Sequence, residues 1–160
     1  IGEDWDSLEG KVAKVLLADQ LSRSCFRGTP EAFSYDQIGK TLVRELVATD
    51  SIKETLKLPA ALLYLLPWAL AHSEDLEDLD CACELIDKAA ASSPSFSLFS
   101  GRNRRAVEQH RQVLEKFGRY PHRNKQFGRS STSEELAWLD DKKNLPVWAG
   151  GKLSIEENIN

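Results

Sequence analysis

Along this 160-residue chain, apolar residues recur at helical spacing in segment after segment. No stretch alternates apolar and polar residues with β-branched enrichment, so the pattern predicts an all-α fold. Leu8, Val12, Val15, Leu16 and Ala18 form one apolar face that ends near Leu21. Thr29-Pro30-Glu31 reads as a helix opening, with proline at the first helical position where its missing N–H costs nothing. Ile38, Leu42, Val43, Leu46 and Val47 continue that face up to Thr49 and Asp50. From about Pro59 a helix apolar nearly all round, through Leu62, Leu63, Trp68 and Leu70, is predicted to be the central buried one. Ser73 ahead of Glu74 and Asp75 predicts an N-cap followed by acids at the positive end of the helix dipole, with that helix reaching Ala90. Residues 92–100 read as a Ser-rich connection, and 102–117 as a further helix stopped by Gly118. After an irregular loop over 119–129, Thr132 and Glu135 have capping-box spacing and open a short last helix with Leu136, Trp138 and Leu139. About six helices with short connections describe a single array or bundle over residues 1–141. Residues 142–160 are expected to be an extended or poorly ordered tail.

Composition fits one packed core: 41% of residues are apolar and 29% charged, unlike a disordered chain. The longest apolar run, 58–71, is broken by Pro59 and Pro67 and falls short of the roughly 20 residues a bilayer span needs. Residues 1–6 lack the basic flank and apolar stretch of a secretory signal, which makes a cytoplasmic location the expectation. Cys25, Cys81 and Cys83 fit neither a disulfide framework nor a metal knuckle, and are read as free thiols. Trp5, Trp68, Trp138 and Trp148 are read as packing residues.

Charge is unevenly spread. Residues 102–129 hold nine basic side chains against two acids, so in a chain of net charge −4 the remainder carries −11. Clustered Arg and Lys suit phosphate backbones, but this segment lacks the exposed, interleaved aromatics that stack bases. The helix before it carries Glu74, Asp75, Glu77, Asp78, Asp80, Glu84 and Asp87, so the expectation is internal charge pairing rather than nucleic-acid binding.

All three histidines, His72, His110 and His122, stand beside charged or hydrogen-bonding residues, and Asp19 and Arg23 lie one helical turn apart near an apolar face. Each has a plain structural explanation taken alone, as an ion pair, a helix start or a turn. Together they would need mutual pairing to survive burial, and a hydrogen-bonded pocket follows. A metal site would need His72, His110 and His122 to meet through the tertiary fold, since no two share i,i+4 spacing; no metal or cofactor is expected.

Several motifs in one order carry a family resemblance: Glu3-Asp4-Trp5 leading to Gly10, Ala18-Asp19-Gln20-Leu21-Ser22-Arg23, Phe26-Arg27-Gly28-Thr29, Ala32-Phe33, Asp36, His72-Ser73-Glu74-Asp75, His110-Arg111, Phe117-Gly118-Arg119-Tyr120-Pro121-His122-Arg123-Asn124, and Gly128-Arg129 with Ser131-Thr132. On these the chain resembles the uncharacterised bacterial-type family catalogued as domain of unknown function 924, over about residues 3–140. The resemblance implies an all-helical, tetratricopeptide-like right-handed layer or bundle, and no established activity. It also implies that Asp19, Gln20, Arg23, Arg27, His72, Glu74, Asp75, His110, Arg119, His122, Arg123 and Asn124 are the family's characteristic polar positions. Leu21-Ser22 and Arg23-Ser24 depart from the family's Phe-Pro and Arg-Asn, and the family's aromatic-rich opening has no counterpart here, which leaves two alternatives: apolar surface exposed where a first helix would pack, or a sequence that is a fragment.

The expected function is a pocket for a small anionic ligand, phosphate or carboxylate. Asp19, Gln20, Arg23, Arg27, Glu74, His110, Arg119, Arg123 and Asn124 are the binding candidates. His72, His122 and Asp75 are the candidates for acid–base chemistry. The alternative is a tetratricopeptide-like module that holds an acidic peptide without catalysis.

Overall fold

Ser7 opens the first long helix, its side chain accepting from the Gly10 N–H at 3.0 Å. In the computed structural model, which describes residues 3–151, that helix is α1, Leu8–Leu16. A glycine is needed at position 10, because a Cβ there would lie 2.1 Å from the Asp4 carbonyl oxygen where the Glu3–Asp6 turn folds back. Beyond Leu16 the helix widens into a π turn, Leu17–Leu21, in which the Ser22 N–H reaches back to the Leu17 carbonyl. The helical path ends with α2, Ser22–Cys25. Pro30 begins a single 3-10 turn, Pro30–Phe33, before α3, Asp36–Val47, and the short α4, Ile52–Thr55.

The apolar helix α5, Ala60–Ala71, is central: it packs against α1, α3, α6 (Leu76–Ser92) and α7 (Pro94–Phe117). Leu63, Leu66 and Leu70 are fully buried, beside Val12, Val15, Val43, Leu79, Ile86, Val107 and Leu114 from its neighbours. Pro67 stands inside α5 without ending it. After Gly118, whose φ of 67° supplies the left-handed stop for α7, come the 3-10 turn Pro121–Arg123 and α8, Ser133–Asp140, which opens with the Thr132/Glu135 capping box. The described residues contain helices and no strand, as the sequence pattern predicts.

Local expectations change in four places. Ile38 is 52% exposed rather than on the buried face of α3. The N-cap of α6 is Asp75, whose carboxylate accepts from the Glu77 N–H at 2.9 Å, two residues past Ser73. The Ser-rich stretch is no connection: Ser93 caps α7 by accepting from the Phe96 N–H at 3.2 Å, and Phe96 is fully buried. Finally, residues 142–151 turn back onto the domain and bury Leu145 and Ala149, while 152–160 lie outside the described residues.

The acidic and basic stripes meet as expected. Asp87 of α6 receives Arg104 of α7 at 2.7 Å, and Asp80 pairs with Arg111. Cys25 is exposed, Cys81 half-buried and Cys83 buried, all as free thiols. No helix among the described residues is long and apolar enough to cross a membrane.

A candidate Asp–His–Arg cleft

The π turn decides where the site begins. It aims Asp19 inward, where the residue is only 2% exposed, and a carboxylate so deep needs partners. Three converge on it: His72 Nδ1 at 2.7 Å, Arg23 Nη1 at 2.8 Å and Gln20 Nε2 at 2.5 Å. Burial pushes the Asp19 carboxyl up, but His72 and Arg23 together outweigh it and hold the group below its ordinary range. Asp19 is therefore an acceptor only, and His72 must donate its Nδ1–H. His72 is the residue that ends α5, and it lines an open cleft of about 280 Å³. Burial lowers the His72 pKa and overcomes the upward pull of Asp19, leaving a neutral ring near pH 7 with its Nε2 lone pair free of that bond.

Arg23 is shared. Besides Asp19 it forks onto Asp36, the first residue of α3, with both contacts at 2.8 Å. Arg123, from the turn after α7, fills the space between: its Nη1 donates to the His72 carbonyl at 2.7 Å, and Asp36 lies 3.8 Å away. Its guanidinium sits between the rings of Phe33 and Tyr120, at 4.9 and 4.7 Å from their centroids. The residue is 4% exposed, and its Nε is buried without a hydrogen-bond partner. Burial first, then the nearby charge of Arg23, brings its pKa down to about 10. Glu74 forms part of the cleft wall, but Arg129 forks onto it at 2.6 and 2.9 Å, and the Tyr120 N–H donates to it at 2.8 Å.

The other sequence candidates fall elsewhere. Arg119 forks onto the buried Glu135 at 2.7 and 2.9 Å, and Asn124 donates to the same carboxylate at 3.2 Å; these three hold α8 against the loop. The hydrogen bond from Arg119 brings the Glu135 pKa down to about 2, against a smaller upward push from burial. Asp75 is exposed and spent as a helix cap, so it does not partner a histidine. Arg27 is exposed on the loop after α2. His110 and His122 sit behind the cleft in an aromatic nest: Trp148 stacks on His110 with centroids 3.9 Å apart and meets His122 edge-on at 5.3 Å. His110 bonds the Ala106 carbonyl at 2.7 Å, and burial takes each of these rings down to a pKa of about 3. Among the described residues, no group of three or more His, Cys, Asp or Glu side chains is placed to hold a metal ion.

Sequence reading missed Asp36, Lys40, Phe33 and Phe127 as cleft residues, and Arg129 and Glu135 as the partners that neutralise its candidates. One signal was available for Asp36 and Lys40. They stand one turn apart at the start of α3, among a surplus of basic candidates that needed carboxylates.

These features define an all-helical protein whose central-helix terminus and post-α7 loop bring an imidazole and a buried guanidinium to one cleft, the imidazole bonded to the buried acid of the π turn. The chain belongs to the family described as bacterial protein of unknown function, domain of unknown function 924, which matches residues 2–143. It is similar to a solved structure of a protein of unknown function from Agrobacterium tumefaciens, with a TM-score of 0.72 and 28% identity over 87% of this chain and 72% of that one. Nothing among curated proteins matches it.

Proposed function

We propose that the cleft binds a small molecule bearing an anionic group, phosphate or carboxylate, and that His72 exchanges a proton with it. The observation that carries this reading is His72, which lines a cleft that also holds Arg123 and is bonded at 2.7 Å to the buried Asp19. A carboxylate that fixes the tautomer at Nδ1 leaves Nε2 as a base, and burial keeps the ring unprotonated near neutral pH. Arg123 supplies positive charge beside it. Arg23 and Arg119, by contrast, are already forked onto Asp36 and Glu135, so they position the site or the loop and do not contact the ligand. A cleft of about 280 Å³ has room for a small molecule, which favours a small ligand over an acidic peptide.

The test is a thermal-shift panel of phosphates and carboxylates on the whole chain, repeated on His72→Gln and Arg123→Gln. Ligand-dependent stabilisation that weakens in both variants is the expected result. No shift from any anion would overturn the reading, as would a shift that both substitutions leave intact.

A further inference from the structure

Within that reading, the charges around the cleft select among anions. Its lining holds two carboxylates, Asp36 and Glu74, and two cations, Lys40 and Arg123. Each carboxylate is also met from behind by an arginine fork, Arg23 on Asp36 and Arg129 on Glu74. Lys40 is held at 3.1 Å by Asp78, which is fully buried and also takes Arg44 at 2.5 Å. Arg123 therefore differs from the other cation of the lining: no carboxylate closes on it within hydrogen-bond distance, and one N–H is unused. A single negative charge would satisfy it. A second would face Asp36 and Glu74 with no cation left to meet it, in a partly water-excluded site where like charges repel strongly.

The remaining lining adds shape. Phe33 and Phe127 stand with ring centroids 5.2 Å apart; Arg129 lies over Phe127 at 5.0 Å from its centroid, yet the ring is 42% exposed and shares the cleft lining with Arg123. Ser34, Gln37 and Ser73 contribute neutral hydrogen-bonding groups. From this arrangement we infer that the cleft takes a monoanionic carboxylate with an apolar or aromatic body, its charged end on Arg123 and its body against Phe127, and that it discriminates against phosphate dianions. This rests on the anion-binding function proposed above and narrows it to one class of ligand.

Titration calorimetry on the full chain at pH 7.5 with four probes tests it: acetate, benzoate, inorganic phosphate and phenyl phosphate. Benzoate is expected to bind at least about tenfold more tightly than phenyl phosphate, and Arg123→Gln to weaken benzoate by about tenfold or more. Because a buried arginine can matter for folding, Phe127→Ala gives a second arm on an exposed side chain: benzoate should weaken roughly fivefold while acetate is unchanged. Phenyl phosphate binding as well as or better than benzoate would overturn the carboxylate inference and leave the anion site standing. Silence from all four probes would overturn both. Benzoate binding that ignores Phe127→Ala would overturn the placement of its body.

Discussion

His72 and the His110–His122 pair differ in company more than in depth. His72 has a carboxylate on one nitrogen and a cleft on its other side; His110 has a backbone carbonyl, a tryptophan face and its neighbouring histidines. Burial lowers all three, but only His72 has a carboxylate in hydrogen-bond contact; the shift is opposed at His110 by the Ala106 carbonyl and at His122 by the charge of Glu74. A buried imidazole is thus held by packing when aromatic rings surround it, and by a fixed tautomer when a carboxylate orients it.

The largest break in this contrast is expected from Asp19→Ala. It leaves His72 without its carboxylate and Arg23 with Asp36 alone, and removing one partner from a buried ion pair costs up to about 3–5 kcal/mol. Urea unfolding measures it; a loss below about 1 kcal/mol would mean that the cluster is not held together by this carboxylate. Next comes Trp148→Ala, which uncovers His110 and His122. A half-buried tryptophan stacked on an imidazole is expected to contribute about 2–3 kcal/mol, and NMR titration should show both rings moving up from about 3 toward the ordinary 6.5.

Acid should then affect the nest in a definite direction. Unfolded, these rings titrate near 6.5, whereas folded they titrate at about 3, so the unfolded chain binds protons first. Stability from their neutral burial is fully present above pH 6.5 and is lost as pH falls toward 3, at up to about 1.4 kcal/mol per pH unit for each ring. Urea midpoints at pH 7.5 and 5.5 should fall with acid in the parent and flatten in Trp148→Ala; equal slopes would show that Trp148 does not seal the nest. The smallest effect belongs to the stripe between α6 and α7, where Arg104→Ala removes an exposed pair with Asp87 and should change stability by no more than about 0.5 kcal/mol.

Much of the scaffold can be read directly from residues: the central α5 from its all-round apolar surface, the stop at Gly118, and the capping box at Thr132 and Glu135. These are local rules, satisfied within a few residues. The Ser-rich start of α7 misleads because Ser and Gly propensities disfavour a helix that Ser93, Pro94 and the burial of Phe96 nonetheless secure. Site membership is a tertiary matter. Asp19 and His72 are 53 residues apart and meet through helix packing, while Arg119 sits four residues from Arg123 in the chain and serves a different carboxylate. Periodicity could not separate these two arginines, since both lie past the Gly118 stop of α7, where the α-helical repeat no longer applies.

The widened turn at Leu17–Leu21 fits one residue more into the helical circuit than an ordinary turn would hold. Successive α-helical side chains are about 100° apart around the axis, so the register on either side of the bulge is offset by roughly that much. Excising a single residue there would straighten the rod and rotate the acid out of reach of the imidazole, while most of the bundle kept its shape. In this fold the Asp19–His72 geometry and the architecture are separable by the length of one helix, counted in single residues.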